Sequence, residues 1–227
     1  MSWLEDFDSR LSEVLSKYSP DQPRDENGQF ASVGGGTTEA LASGWNQDVW
    51  KPPIPDVWRQ AGHITLSGLS EEEKDALNSY VAMGYINMNY SLRNPNNSFA
   101  NNENDEQITK NNVNNLIALI DRNEPLPTDS MLYRGVQPNS RWRDLEVGDT
   151  FVDKGFVSTS GDWRTSTFFG SQRFYIEAPA GTKALDTTVA SNGGVREREI
   201  ILQAGTKFEV VGKDGGNGPI RLRVVND

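Results

Sequence analysis

Two carboxylates stand two residues apart in Glu197-Arg198-Glu199, directly ahead of the apolar run Ile200, Ile201 and Leu202. In an extended segment, residues two apart share a face, so Glu197 and Glu199 lie side by side with Arg198 opposite. Neighbouring carboxylates repel unless a cation or a ligand sits between them, and a face made for packing would not carry them. A carboxylate pair at the mouth of a buried strand is therefore a candidate for meeting positive charge on a ligand. A solvated strand end, with Arg196 and Arg198 pairing with nearby acids, accounts for the same residues.

Two further segments carry chemistry. In Leu132-Tyr133-Arg134-Gly135 an arginine sits within a short apolar strand bounded by glycine. Arginine is rarely buried unless paired, and its planar fork suits phosphate or carboxylate. A structural salt bridge to one of the two glutamates is the other explanation. In Gly155-Phe156-Val157-Ser158-Thr159-Ser160 three hydroxyl residues end an apolar strand. They can orient other polar side chains, or simply serve turn chemistry.

The elements that must hold these residues follow from hydrophobic period. Ser70 and Glu73 have capping-box spacing, and Leu77, Tyr80, Val81, Gly84, Tyr85, Met88 and Leu92 form a helical stripe. An Asn-rich loop is predicted over 94–106, then a second helix with Val113, Leu116, Ile117 and Ile120 on one face, ending before Pro125. After Leu132 the period becomes two. LYRGV, DTFVDKGFVSTS, RFYIEAP, KALDT, REREIILQ, KFEVVG and IRLRVVN read as short strands. Helices first and strands afterwards predict an α+β domain on a mostly antiparallel sheet or sandwich.

Composition narrows the chemistry. Among 227 residues there is no Cys and a single His, His63, so thiolate nucleophiles, Cys-based zinc sites and disulfides are excluded, and a His-rich metal site has no material. The formal net charge is −10 with no basic stripe, which makes nucleic acid an unfavoured partner. No apolar run approaches the roughly 18–20 residues of a membrane span, and the acidic start MSWLEDFDSR shows no signal peptide. The expected location is cytoplasmic in the producing or target cell, with virion delivery or non-classical secretion as routes.

Outside the main domain, residues 1–18 read as an amphipathic helix lined by Leu4, Phe7, Leu11, Val14, Leu15 and Tyr18. Residues 19–44 read as a Pro-, Gly- and Ser-rich linker, in which DENGQFAS resembles segments of tailed-phage head proteins. A virion or immunity partner for residues 1–18 is the corresponding expectation. Residues 45–64 are a Trp-rich lead-in to a domain running to residue 227.

An Arg strand, a Ser-Thr-Ser strand and a Glu-x-Glu strand, in that order behind a capped helix with paired tyrosines, resemble the Arg-Ser-Glu clade of mono-ADP-ribosyltransferases. That clade includes bacterial exoenzymes, the enzymatic components of binary toxins and many secreted effectors. The resemblance spans about residues 65–225 and includes LSEEEKDALNSYVAMGYINMNYSLR, which is similar to the family's opening helix with its spaced tyrosines and trailing Asn and Arg.

The resemblance implies an ADP-ribosyltransferase-like β-sandwich preceded by helices, with NAD as substrate and no metal. It implies that Arg134 holds the NAD phosphates and that Gly135 presents its backbone to the nicotinamide amide. Ser158 would orient the catalytic Glu199, with Thr159 and Ser160 shaping that strand of the NAD site. Glu199 would bind the nicotinamide-ribose 2′-hydroxyl and stabilise the oxocarbenium, while Glu197 would engage the incoming nucleophile. Tyr80, Tyr85 and Asn89 match helix positions that contact NAD. Phe169 and Arg173 fall where the family's phosphate–nicotinamide loop places an aromatic and a basic residue.

Relatives with Gln at the first acid modify Asn, Cys or Gln, so Glu197 favours arginine on a target protein as acceptor. Water as acceptor (an NAD glycohydrolase) and a non-catalytic phage-particle binding protein are the alternatives. Many toxin relatives carry an exposed aromatic on the turn before the first acid. Here that turn, 190–195, offers Gly193 and Gly194, so the targets of those toxins are not implied.

Overall fold

The computed structural model describes residues 68–97, 102–138, 142, 144–187, 199–214 and 218–226. The expectations for residues 1–18, 19–44 and 45–64, for His63, for the 190–195 turn and for Glu197 lie outside the described residues.

Helix α1 (Glu71–Ser79) starts with the expected capping box. Ser70 Oγ accepts from the Glu73 amide at 3.2 Å, and Glu73 Oε2 accepts from the Ser70 amide at 2.9 Å. Both interactions satisfy amides that a helix start leaves open. After α1 the backbone widens into a π-helical turn over Tyr80–Gly84 before α2 (Tyr85–Arg93) resumes the α geometry. This corrects the single continuous stripe read from sequence. In an unbroken α-helix Tyr80 and Asn89 are about two and a half turns apart, on opposite faces. The wider turn shifts the phase, so Tyr80, Met88 and Asn89 are all buried while Tyr85 is exposed. Glycine is required at the end of this turn: a Cβ on Gly84 would lie 2.7 Å from the Ser79 carbonyl oxygen.

Helix α3 (Glu103–Arg122) begins inside the segment expected to be loop. The physical reason is a cap: Asn102 Oδ1 accepts from the Asp105 amide at 2.9 Å. Glu103, Asp105 and Glu106 in the first turn also favour the helix dipole. At its other end Arg122 grips both carboxylate oxygens of Glu73 at 2.8 and 2.6 Å, which ties α3 to α1.

Eight strands follow: β1 (Ser130–Val136), β2 (Thr150–Asp153), β3 (Val157–Ser160), β4 (Gln172–Ala178), β5 (Ala184–Asp186), β6 (Glu199–Leu202), β7 (Thr206–Lys213) and β8 (Ile220–Val224). A short helix α4 (Trp163–Ser166), capped by Asp162, lies between β3 and β4. The sheet order is β2-β7-β8-β4-β1-β3-β6-β5, antiparallel except for β4 beside β8. One core joins Leu132, Val157, Ile200 and Leu202 to Phe208, Val210 and Leu222 from the other half of the sheet, so the sheet folds over its own inner face as a sandwich does. A second core packs Leu77, Tyr80, Met88, Leu116 and Ile120 of the helices against Phe156, Leu185 and Ile201. None of the described helices is long and apolar enough to cross a membrane.

The run DTFVDKGFVSTS, expected to be one strand, is two. β2 forms one edge of the sheet, whereas β3 lies between β1 and β6 in the other half. The chain breaks at Lys154-Gly155-Phe156 because side chains take over its polar groups there. Asp153 Oδ1 accepts from the Gly155 amide at 3.0 Å, and Asn89 Oδ1 accepts from the Phe156 amide at 2.7 Å.

Candidate active site

β1, β3 and β6 are neighbours in the sheet, so the arginine, serine and glutamate segments lie on three adjacent strands. β1 pairs with β4 along Ser130–Val136 but with β3 only at Tyr133 opposite Ser160. Beyond that point Arg134 spans the space between the strands, its Nη1 donating to the Ser158 carbonyl oxygen at 2.6 Å. A side-chain donor thus replaces a ladder bond, and a charged fork stands where two strands part. On the inner side lies a cleft of about 240 Å³, lined in part by Arg93, Arg134, Val136, Trp142, Phe151 and Asp153. Burial pulls the Arg134 guanidinium down from its ordinary value, while Tyr80, Asp153 and Glu199 act in the opposite sense and Arg93 reinforces the fall.

Ser158 faces Ile201 and Ser160 faces Glu199 across the β3–β6 ladder. By strand alternation Ser158, Ser160 and Glu199 project from the same face, toward the helices. There the Tyr80 hydroxyl lies 2.9 Å from Ser158 Oγ, and Asn89 Nδ2 donates to the same phenol oxygen at 3.4 Å. The Tyr80 phenol is pushed up to about 12, chiefly by burial and then by the negative charge of Glu199. It therefore stays protonated at any physiological pH. Thr159 points to the other face and donates to the Ile200 carbonyl at 2.7 Å, tying β3 to β6. Ser158 thus meets both Tyr80, through its hydroxyl, and Arg134, through its carbonyl, and the negative charge of Glu199 bears on Tyr80 and Arg134. An anionic diester beside the fork and a developing cation beside the carboxylate are the charges this arrangement can accept.

Gly135, Phe169 and Arg173 also come together. Gly135 pairs with Arg173 across β1 and β4, and a Cβ on Gly135 would lie 1.9 Å from the Ser166 carbonyl and 3.3 Å from Phe169 Cβ. The segment after α4 therefore rests directly on the glycine. Phe169 beside it is partly exposed. Tyr85 is exposed too, its ring centroid 6.2 Å from that of Tyr80.

The profile of the ADP-ribosyltransferase exoenzymes matches residues 50–221. The chain belongs to that family. Among curated proteins it is 26% identical over 156 residues to "Putative NAD(+)--arginine ADP-ribosyltransferase Mav" of Mycobacterium avium (strain 104). That match takes in 66% of this chain and 17% of the much longer relative. Among solved structures it resembles the ADP-ribosyltransferase Vis of Vibrio splendidus. In the inhibitor-bound form the TM-score is 0.62 at 17% identity, over 85% of this chain and 87% of that one. In complex with agmatine it is 0.60 at 16%, over 86% and 88%. Exoenzyme S of Pseudomonas aeruginosa, bound to carba-NAD and human 14-3-3 protein beta, gives 0.57 at 19%, over 82% and 87%. At these identities the structural likenesses establish the fold, an ADP-ribosyltransferase sandwich.

In this exoenzyme domain two polar residues of the cleft escaped the reading of the sequence. Asp153 accepts from Arg93 Nε at 2.8 Å and Nη2 at 3.1 Å, so a two-pronged ion pair lines the same cleft as Arg134. Arg93 entered the sequence argument only as the end of the opening helix. The one signal for Asp153 is an acid before Lys-Gly in an otherwise alternating run.

The contact at Gly135 has a measurable consequence. Gly135→Ala forces the Ser166 backbone away from β1 and is expected to cost about 1–3 kcal/mol, as overpacking does. Thermal unfolding reads this as a melting temperature lower by several degrees. An unchanged melting temperature means that the α4 segment is not seated on the glycine.

Proposed function

We propose that this domain cleaves NAD at the nicotinamide–ribose bond and transfers ADP-ribose to arginine on a target protein. The observation that carries the reading is the assembly of Arg134, Ser158 and Glu199 on adjacent strands, with Arg134 bridging the space between two of them. Arg134 holds the diphosphate, and the backbone of Gly135 receives the nicotinamide amide. Phe169 and Arg173 close over that end. Ser158 orients Glu199, which binds the ribose 2′-hydroxyl. Nicotinamide leaves with the electron pair of the glycosidic bond and becomes neutral. The positive charge passes to the ribose ring, beside Glu199.

The acceptor rests on Glu197. A guanidinium stays protonated at ordinary pH and is a poor nucleophile. A carboxylate two residues before Glu199 pairs with it, aims one nitrogen at the ribose and takes up the proton released as the new bond forms. The name of the Mycobacterium relative and the agmatine complex of Vis support arginine as the acceptor class.

The test is nicotinamide release from NAD with and without agmatine, followed by mass spectrometry of the agmatine. An ADP-ribosylated product is expected with the wild-type chain, and Glu197→Gln is expected to abolish it while sparing part of the NAD hydrolysis. Nicotinamide release that ignores agmatine, with no adduct, makes water the acceptor and the protein a glycohydrolase. Equal loss of both activities in Glu197→Gln removes the division of labour between the two acids.

A further inference from the structure

Asn89 is buried, and both ends of its amide are engaged by groups on different elements. The Phe156 partner is a backbone N–H, which can only donate. The atom 2.7 Å from it must therefore be the carbonyl oxygen of Asn89, which leaves the NH₂ group facing Tyr80. That NH₂ can only donate as well. The Tyr80 oxygen receives it, and the buried phenol hydrogen then needs an acceptor of its own. Ser158 Oγ, at 2.9 Å, is that acceptor among the described residues. A hydroxyl that accepts from Tyr80 keeps its own hydrogen for a third group. On the same face of the adjacent strand stands Glu199, two residues from Ile201, the partner of Ser158.

We infer that Asn89 is a positioning residue which sets the direction of a hydrogen-bond chain, from the Phe156 amide through Asn89 and Tyr80 to Ser158, so that Ser158 donates to Glu199. The chain is directional because its first member is a backbone amide that cannot reverse. The π-helical turn is what makes it possible, since an unbroken helix places Asn89 and Tyr80 on opposite faces. Asn89 then acts on NAD through Tyr80 and Ser158 rather than by touching it. This inference rests on the proposed role of Glu199 for its effect on turnover, although the direction of the chain stands on geometry alone.

Asn89→Asp is the decisive variant. It preserves shape and the bond from the Phe156 amide, but an ionised carboxylate accepts at both ends. Tyr80 then donates to residue 89, Ser158 donates to Tyr80, and Glu199 loses its donor. Burial raises the pKa of such a carboxyl, so kcat for nicotinamide release is read from about pH 6.5 to about pH 9.5 and is expected to fall about tenfold as the group ionises, the scale of one hydrogen bond. The KM for NAD should stay within about twofold. In a Ser158→Ala background the same change should have no further effect on kcat. Wild-type kcat in Asn89→Asp across that whole range, or an undiminished tenfold loss in the Ser158→Ala background, overturns the chain.

A second readout needs no activity. The Tyr80 hydroxyl proton should show a nuclear Overhauser contact to the Ser158 β-protons in the wild type and to those of residue 89 in Asn89→Asp. A wild-type contact to residue 89 reverses the direction and ends the inference. If the wild type releases no nicotinamide, the proposed function fails, and the proton contacts still decide the chain.

Discussion

Glu199→Gln is expected to lower nicotinamide release by roughly 10²–10³, the usual loss when one preorganised transition-state contact is removed. The substitution keeps the shape of the side chain and removes only its charge. The bond to be broken joins ribose to a leaving group that is already positive, so a general acid has little to contribute. Under the proposed function the barrier lies in the charge that appears on the ring, and Glu199 is the group proposed to meet it. That charge is already felt in the resting protein, where it acts on both Tyr80 and Arg134. Because Glu199 is half-buried at the start of β6, ahead of the fully buried Ile200, Ile201 and Leu202, the strand anchors it without depending on its charge. The melting temperature and the KM for NAD should therefore change little while kcat collapses. Steady-state nicotinamide release checks this, and a variant within threefold of wild type removes Glu199 from the chemistry.

The residues of the candidate site stand out in the sequence because each is out of place by ordinary folding rules. An arginine inside an apolar strand, three hydroxyls ending another and an acid directly ahead of three buried aliphatics all need a reason beyond packing. What period and composition do not convey is which strands become neighbours. DTFVDKGFVSTS alternates well enough to pass for one strand, yet its halves lie in different parts of the sheet. The break depends on Asn89, which is distant in sequence and absorbs the Phe156 amide. The same limit applies to the opening helix. Its apolar spacing fits a 3.6 period on either side of Tyr80–Gly84, and one widened turn reverses which of Tyr85 and Asn89 is buried. Only the Ser79–Gly84 crowding distinguishes this geometry, and a glycine in a helical stripe reads first as a weak point. The capping box at Ser70 and Glu73 and the order of helices before strands carried through intact.

Arg134→Lys is expected to raise the KM for NAD about 10- to 100-fold, equivalent to a charged hydrogen bond of about 1.5–3 kcal/mol. Charge alone does not suffice at this position. The guanidinium already spends Nη1 on the Ser158 carbonyl, and its remaining donors, fixed in one plane, are what it can offer a diphosphate. An ammonium has three donors at a single point and cannot span the β1–β3 space and also reach the ligand. Burial, which already lowers the proton affinity of Arg134, acts on a group whose ordinary value is lower still, so the lysine is more easily neutralised. Arg93 does not compensate, because Asp153 holds it in a two-pronged pair. Initial-rate measurements over a range of NAD concentrations separate the outcomes. A raised KM with kcat falling less supports phosphate binding. An unchanged KM with a collapsed kcat means that Arg134 serves the chemical step by holding Ser158, and the diphosphate must then find its cation elsewhere.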